Sequence, residues 1–360
     1  METQTIPSLI ESHDSELENV AYDLVDGLKI YEDDRGFIIG NLALEEGVSP
    51  HKAVNSSPRD LDYRLLSQAA LLVATEDAQE PVTLTVGFPY STYKRNRELA
   101  KDYLKGVHEI HFDPGHAYQG HRQVSVERVE VVPEIVGCII AARSSDWLHQ
   151  SEAFFMCSLG YGTFEACLST ESGVIQRTTV STQGLRHAID IALDELEKEH
   201  YLDLRNEHQF AQNFKEGRMI IDRRPFDITD IRQTALRRYY EDVVSPALRR
   251  TWKDADFGRA DKLVLAGGGA HLEGLVGCFQ EEFDGILEIE SAKNPTSAAS
   301  RGYCLRSKAR TSGREIGVGI DLGNASTVVS YQLIESGTSD SSVQKVSSNE
   351  NAGGMEVSEN

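Results

Sequence analysis

The stretch GVGIDLGNASTVVSY, residues 317–331, decides the predicted fold. An apolar, β-branched run ends in Asp321-Leu322-Gly323, small polar residues follow, and a second β-branched run begins at Thr327. This pattern predicts two strands joined by a tight turn. A glycine turn lets backbone N–H groups approach a phosphate, and an aspartate at the end of a strand can hold a hydrated Mg²⁺ beside it. One such hairpin is a weak signal, so the functional prediction depends on a second one.

A second hairpin of this kind lies in the middle of the chain, in FFMCSLGYGTFEACL, residues 154–168. Its Ser158-Leu159-Gly160 aligns with Asp321-Leu322-Gly323. Two glycine hairpins, one from each of two similar halves, can hold the phosphates of one nucleotide between them. A third glycine element, Gly267-Gly268-Gly269, follows a predicted strand, and its flat backbone can pack against a nucleoside. Taken by itself, the third element is explained by a loop between a strand and a helix. Together with the two hairpins, contact with a nucleotide is the favoured interpretation.

Glu134 follows a predicted strand that ends in Val131-Val132-Pro133. Its carboxylate can orient a water against a γ-phosphate. An exposed carboxylate after a proline turn explains the sequence equally well. Ser158 likewise has two equal interpretations. It is either an ordinary turn residue or a residue that lies next to a bound magnesium ion. The histidines between positions 108 and 121 are interpreted as surface residues, because His108 and His111 fall on opposite faces of a strand.

Composition narrows the class of protein. The 360 residues, 40% hydrophobic and 26% charged, suffice for two domains with cores of their own. The net charge of −21 argues against direct nucleic-acid binding. No apolar run approaches the roughly 20 residues that cross a bilayer, and no secretory signal is recognised, so a cytoplasmic protein without membrane contact is expected. The five cysteines form no CxxC motif and are expected to be buried reduced thiols.

Strands that alternate with helices predict an α/β architecture. The patterns predict a hairpin around Asp33-Asp34, helices over 60–76 and 184–201, and a long helix over 228–252 divided or kinked at Pro246. Residues 1–19 are polar around one short apolar patch, and 206–224 are mixed and charged. From residue 335 on, the chain is rich in Ser, Asn, Glu and Gly and is predicted to be disordered.

At these motifs the sequence resembles the actin-like ATPase superfamily, which also contains sugar kinases and seventy-kilodalton chaperones. Residues 321–326 look like the first phosphate motif, 158–163 like the second, and 266–270 like the adenosine motif. Four further segments resemble the ParM/StbA-like actins of bacteria and archaea; they are residues 39–43, 86–90, 131–134 and 294–303. Each motif alone is weak, but together, at consistent spacing, they are specific.

The resemblance implies an α/β fold of two actin-like (ribonuclease H-like) lobes with a nucleotide cleft between them, in circularly permuted order. The family begins with the first phosphate motif, which here follows the adenosine motif. Residues 1–145 are expected to form most of the first lobe and 146–300 the second. Residues 301–333 would return to complete the first lobe, and 334–360 would be a disordered tail. A permutation needs chain ends that lie close together.

The resemblance also assigns site residues for ATP (or GTP) and Mg²⁺. It implies that phosphate and metal are held from one lobe by Asp321, Gly323, Asn324 and Ser326, and from the other by Ser158, Gly160, Gly162 and Thr163. Asp321 is the expected metal residue, and Glu134, Asp321 and Ser158 are the expected catalytic set. The nucleoside would be bordered by Gln183, Gly184, Gly267, Gly268 and Gly269.

The function implied is that of an ATPase that polymerises head to tail into filaments, for plasmid or DNA segregation or cytoskeletal positioning, with a DNA-binding adaptor as partner. Ser158 stands where the family has an aspartate, so hydrolysis is predicted to be weak. Two alternatives stay open. One is a hydrolysis-poor scaffold switched by nucleotide. The other is a small-molecule kinase of the same fold, which is disfavoured because no insertion supplies an acceptor-site base.

Overall fold

The structure is a computed structural model that describes residues 1–17, 23–52, 57–114, 120–146, 148–149, 151–202, 207–311 and 313–334. From position 335 on, the tail predicted to be disordered lies outside these residues.

Eighteen strands occur in the described part of the chain, in two large sheets and one separate hairpin. They are β1 (Glu2–Pro7), β2 (Leu9–Ser12), β3 (Leu28–Glu32), β4 (Arg35–Ile39), β5 (His51–Lys52), β6 (Val82–Phe88), β7 (Gly106–Pro114), β8 (Gly120–Pro133), β9 (Phe154–Leu159), β10 (Thr163–Thr170), β11 (Gly173–Val174), β12 (Val180–Gln183), β13 (Arg218–Ile221), β14 (Arg224–Asp227), β15 (Lys262–Ala266), β16 (Glu288–Ser291), β17 (Glu315–Leu322) and β18 (Ser326–Ile334).

Eleven α-helices lie between these strands in the same described ranges. They are α1 (Asn41–Glu46), α2 (Leu61–Ala74), α3 (Tyr90–Leu104), α4 (Glu134–Arg143), α5 (Arg186–Glu197), α6 (Glu207–Glu216), α7 (Thr229–Tyr239), α8 (Ser245–Thr251), α9 (Asp254–Phe257), α10 (Glu273–Glu282) and α11 (Ala298–Lys308).

The first sheet has ten strands in the order β1-β18-β17-β6-β8-β7-β3-β4-β2-β5. Strand β17 runs parallel to β6 and antiparallel to β18, and both α2 and α11 pack against it. The cover on both sides explains why its first six residues are buried and why the sequence reads as a continuous apolar run rather than an alternating one.

The second sheet has six strands, with β11-β10-β9-β15-β16 in order and β12 paired to β10. Strand β9 is antiparallel to β10 but parallel to β15, so helices must cross over between β9 and β15. Residues of helices α5 to α8 and α10 form one hydrophobic core with this sheet. A mixed α/β fold with two sheets, each with its own core, is therefore confirmed.

The first strand and the last lie side by side. Strand β1 pairs with β18 antiparallel, from Glu2 opposite Tyr331 to Pro7 opposite Ser326. This order is what the predicted permutation requires, but the permutation itself stays a prediction. The sequence interpretation missed β1, because it lies at the edge of the sheet and Ile6 is its one fully buried side chain.

Other differences concern the second half. The long helix predicted over 228–252 is α7 and α8, joined by a π-helical segment at Tyr240–Val244. Pro246 lies in the first turn of α8, directly after this segment. The mixed segment 206–224 contains α6 and β13. All five cysteines are buried and unpaired, as predicted. Among the described helices, none has the length and apolar character to cross a membrane.

Helices α4 and α11 cross in unusually close contact. A Cβ atom added to Gly302 would lie 1.8 Å from the carbonyl oxygen of Gly137, so only glycine fits this crossing. The hydroxyl of Tyr303 donates to the main-chain oxygen of Glu134, the first residue of α4. Residues of both helices share a hydrophobic cluster with Phe154 and Met156 of the second sheet, and α11 also packs on β17. The pair therefore connects the two sheets and fixes the position of Glu134.

Candidate functional site

A cleft of about 360 Å³ lies between the two sheets, within the usual size of a small-molecule site. Most residues predicted from the sequence line it; they are Glu134, Ser158, Gly160, Gly162, Thr163, Gly267, Gly268, Asp321, Gly323, Asn324 and Ser326. The three glycine elements, which are far apart in the chain, thus converge on one cleft. Gln183, Gly184 and Gly269 do not line it.

The two glycine hairpins have turns of the same geometry. In the first, Leu322 pairs with Thr327, and the Gly323 N–H donates to the Ser326 carbonyl over 3.1 Å. In the second, Leu159 pairs with Phe164, and the Gly160 N–H donates to the Thr163 carbonyl over 3.0 Å. The alignment of the two sequences therefore corresponds to an alignment of two four-residue turns.

Ser8 holds the first turn from the neighbouring strand. This fully buried residue donates its hydroxyl to the Gly323 carbonyl over 2.7 Å and its N–H to the Ala325 carbonyl over 3.1 Å. The Ser8 hydroxyl also lies 3.1 Å from that of Thr327. Nothing in the sequence indicated this role, because the hydroxyl acts on residues more than 300 positions away.

The start of α5 holds the second turn. The N–H groups of Gly184, Leu185 and Arg186 donate to the carbonyls of Gly162, Gly160 and Tyr161, respectively, over 2.9–3.1 Å. A Cβ on Gly184 would lie 2.5 Å from the Gly160 carbonyl oxygen, so this glycine is required for the close approach. Gly184 therefore supports the second glycine turn and is not among the residues that line the cleft.

The two turns touch each other. A Cβ added to Gly162 would lie 2.0 Å from the side-chain nitrogen of Asn324, so the second turn packs directly against the first. The N–H groups of Gly162 and Ala325 donate to no backbone carbonyl in the described residues, and both residues line the cleft. Backbone donors gathered at such a place form a site suited to an anion.

The third glycine element closes another side of the cleft. Gly267 has a φ of +82°, and its N–H donates to the Pro295 carbonyl over 2.8 Å. A Cβ on Gly268 would meet nothing within 4 Å, so this residue presents bare backbone to the cleft. Gly269 is buried against Leu159 and Leu185 instead. Gln183 is exposed, and its carbonyl accepts a hydrogen bond from Tyr239.

Three carboxyl groups lie close to one another here: Glu134 and Asp321 line the cleft, and Glu165 is fully buried near them. Burial raises the pKa of Asp321 to about 7 and that of Glu165 to about 7. Burial also raises the pKa of Glu134 well above its usual range, and the negative charges of Asp321 and Glu165 add to this effect. The protein alone therefore favours proton uptake by this cluster, which we call the carboxyl cluster.

Glu165 is the member of the carboxyl cluster that sequence reasoning did not assign to the site. It lies opposite Ser158 in the β9–β10 ladder, and its side chain is fully buried. One oxygen, Oε1, accepts the Tyr90 N–H over 2.6 Å. The other, Oε2, has no hydrogen-bond partner of standard geometry among the described residues. Ser158 is also buried and, because it is a serine, adds no charge to the cluster.

The carboxyl cluster fits a divalent cation that enters with a phosphate ligand. Mg²⁺ is typically bound through one or two carboxylates plus substrate phosphates, with water completing the shell. Lys215 is the one lysine or arginine among the described residues that line the cleft, and its side chain is exposed. A bound cation would offset the negative charge that the cluster carries once it is ionised. No group of three or more His, Cys, Asp or Glu side chains in the described ranges can hold a metal by itself. Of the histidines predicted to lie at the surface, His111 and His121 are exposed, and His116 lies outside the described residues.

Helix α6 contributes residues that the sequence interpretation missed. Five of its residues line the cleft; they are His208, Ala211, Gln212, Phe214 and Lys215. Phe210 and Phe214 are both buried and lie four residues apart, which is the spacing of one face of a helix. This spacing is the sequence signal that could have predicted α6. Thr92 and Asn96, from α3, are further polar lining residues that were not predicted.

We compared the sequence and the structure with those of known proteins. Residues 1–137 match the family described as "Actin like proteins N terminal domain". No curated protein matches the chain by sequence.

Solved structures of actin-like proteins share the fold. The archaeal actin homologue Ta0583 in complex with ADP is 17% identical, with a TM-score of 0.64 over 83% of this chain and 90% of that one. The 15-stranded ParM filament from Clostridium botulinum is 17% identical, with a TM-score of 0.66 over 84% and 92% of the two chains. Bacillus thuringiensis ParM with ATP is 16% identical, with a TM-score of 0.56 over 84% and 90%. The actin-like fold predicted from the sequence is thereby confirmed.

Proposed function

We propose that this actin-like chain binds ATP or GTP with Mg²⁺ in the cleft between its two sheets and assembles head to tail into filaments. The observation that carries the proposal is the meeting of two equivalent glycine turns, one from each sheet, at Gly162 and Asn324. A nucleotide between them would bind both lobes at once, so its phosphates would control how the lobes are arranged.

The residues of the cleft divide into roles. The N–H groups of Gly162 and Ala325 donate to phosphate oxygens, and Asp321 with its carboxyl neighbours holds the cation. A bound Mg²⁺ would supply positive charge beside the phosphates, which the carboxyl cluster does not offer by itself. Glu134, fixed by α4 and Tyr303, accepts a proton from the attacking water, which requires its carboxyl group to be ionised. Gly267 and Gly268 border the nucleoside.

The filament part of the proposal rests on the fold. One relative of the same fold is a ParM filament, and another is named as a non-polymerisable mutant of pCBH ParM. A head-to-tail contact that does not close into a ring produces an open polymer. Nucleotide binding would favour the arrangement of lobes that polymerises, and hydrolysis would weaken it. A cytoplasmic role in cytoskeletal positioning or plasmid segregation follows, with a basic adaptor making any DNA contact because the chain itself carries a net charge of −21.

A second candidate is a scaffold that binds nucleotide but hydrolyses it poorly. The uncharged, buried Ser158 beside Glu165 favours it, because one carboxylate fewer is available to orient water around the cation. The scaffold would use the same cleft and the same filament contacts and would differ only in turnover.

One experiment separates these functions. Purified protein is mixed with Mg²⁺ and either ATP or GTP, and light scattering and phosphate release are followed together. Scattering with turnover supports the polymerising ATPase. Scattering without turnover supports the switched scaffold. A protein that binds neither nucleotide by calorimetry, with or without Mg²⁺, would overturn the assignment of the cleft.

A further inference from the structure

Lys52 reaches from the first sheet to the second. It ends β5, the edge strand that pairs with β2 through Leu9. Its ammonium nitrogen lies 3.8 Å from the ring centroid of Tyr161, which belongs to the turn between β9 and β10. A cation within about 6 Å of an aromatic centroid is attracted to the face of the ring. This contact joins two separate sheets.

The position of Tyr161 gives this contact its importance. Tyr161 stands between Gly160 and Gly162, whose backbone forms the second phosphate turn, and it lines the cleft. Its carbonyl accepts the Arg186 N–H, so α5 already holds the turn on one side. Lys52 holds the ring on the other side, from the opposite sheet.

His208 lies in the same corner. It is 5% exposed, lines the cleft from α6, and its Nδ1 has no hydrogen-bond partner in the described residues. Burial and the positive charge of Lys52 lower the pKa of His208 to about 4. The imidazole is therefore neutral at physiological pH and does not repel the ammonium group. It also serves as an internal reporter of where the Lys52 charge is.

We propose that Lys52 is a positioning residue that holds the second glycine turn, through Tyr161, in the conformation that receives the nucleotide. The proposal rests on the proposed function of the cleft. Lys52 does not line the cleft and touches no reacting atom; it acts through the ring of Tyr161 on the backbone of Gly160 and Gly162. The contact keeps the turn in position before the nucleotide arrives, so nucleotide affinity includes this contact.

The test compares four full-length variants. Lys52→Met removes the charge and keeps the length of the side chain, Lys52→Arg keeps a cation, Tyr161→Leu removes the ring, and the double variant Lys52→Met/Tyr161→Leu completes a cycle. Lys105→Met, at the exposed residue after α3, is the matched control for loss of one positive charge. ATP affinity with Mg²⁺ is measured by calorimetry, and the pKa of His208 is measured by NMR titration of the protein without nucleotide.

The expected result is a three- to tenfold loss of ATP affinity in Lys52→Met, recovery in Lys52→Arg, and no additional loss when Lys52→Met is added to Tyr161→Leu. The pKa of His208 should rise in Lys52→Met and stay the same in Lys105→Met. If Lys52 had a merely structural role, Lys52→Arg would not recover ATP affinity. The losses of affinity in Lys52→Met and Tyr161→Leu would then add in the double variant.

Two results would overturn the clamp. An unchanged pKa of His208 in Lys52→Met would show that the lysine is not at this corner in solution. A raised pKa with unchanged ATP affinity would show that the contact exists but does not position the turn. Wild-type protein that fails to bind nucleotide would overturn the proposed function instead, and the His208 titration would still decide whether the contact forms.

Discussion

Gly162 and Asn324, from the two glycine turns, are packed so closely that a single added methyl group on Gly162 would lie 2.0 Å from the amide nitrogen of Asn324. The two turns therefore form one continuous surface in this conformation. In the proposed function, nucleotide binding and contact between the lobes would share this point, so a change here should alter both.

Gly162→Ala should force the two turns apart. We expect a loss of about 1–3 kcal/mol in the free energy of unfolding, as for overpacking of a tight contact, and weaker nucleotide binding. Urea unfolding with and without Mg²⁺–ATP measures both. In the Asn324→Ala background the same glycine change should cost much less, because the atom it strikes is gone.

The control for Gly162→Ala is Gly277→Ala in α10, where an added Cβ meets nothing within 4 Å. This substitution should leave stability equal or slightly higher, since alanine favours helix. Equal effects of Gly162→Ala in the wild-type and Asn324→Ala backgrounds would contradict the direct contact.

Asp321→Asn should abolish Mg²⁺-dependent nucleotide binding while raising the stability of the protein without ligand. The reason is that Asp321, ionised above its raised pKa of about 7, adds charge to the carboxyl cluster. We expect a gain of about 1–3 kcal/mol at pH 8. Thermal unfolding at pH 8, with and without Mg²⁺–ATP, measures it: the variant should melt higher alone and gain nothing from the ligand. A variant that still binds ATP only when Mg²⁺ is present would contradict the metal role.

The stability of the protein without ligand should fall as the pH rises from about 4 to about 7. In this window Asp321 and Glu165 still hold protons in the folded protein, with pKa values of about 7, whereas the unfolded chain has released them. The folded state then binds more protons, so the free energy of unfolding decreases with pH and levels off above the folded pKa values. Denaturant unfolding at pH 5, 6, 7 and 8 measures the slope.

The matched comparison is the double variant Asp321→Asn/Glu165→Gln, in which the decline should be much shallower. Nucleotide affinity with Mg²⁺ in the wild type should rise over the same window, because the cation binds the ionised cluster. A stability that rises from pH 5 to 7 in the wild type would contradict the raised pKa values.

Ser158→Asp should increase phosphate release if the missing carboxylate limits turnover. The new side chain would lie beside Glu165 at the end of β9, so it should lower stability in the absence of cation and show its effect only with Mg²⁺. Steady-state phosphate release, compared with Ser158→Asn as an uncharged variant of the same size, measures this. Equal rates in both variants would point to another limit on hydrolysis.

The sequence predicted the parts of the site that are encoded locally. The strand–turn–strand patterns around Gly323 and Gly160 carry their own information, because turn geometry depends on neighbouring residues. The sequence also predicted that Glu134 follows the end of a strand, because the neighbouring Val131-Val132-Pro133 indicates where that strand stops. Both hairpins and the α/β fold were correct in these terms.

The parts that were missed depend on distant contacts. Ser8 and Lys52 look like ordinary polar residues in sequence, and they act through partners more than 100 positions away. Gln183, Gly184 and Gly269 were predicted at the nucleoside, but they lie outside the cleft lining, where Gly184 supports a turn. Edge strand β1 and helix α6 were missed because their polar side chains obscure the pattern of the buried ones.

The position of β17 affects how such a protein is made. This strand lies between β18 and β6, inside the first sheet, yet it follows every other strand of the sheet except β18 in the chain. On the ribosome, β1 to β8 would emerge with the middle of their sheet missing, and β6 would present an unpaired edge until more than 200 further residues had been translated. The glycine turn that follows Asp321 is thus among the last features to form, and nascent chains would be open to aggregation or to chaperones during that interval.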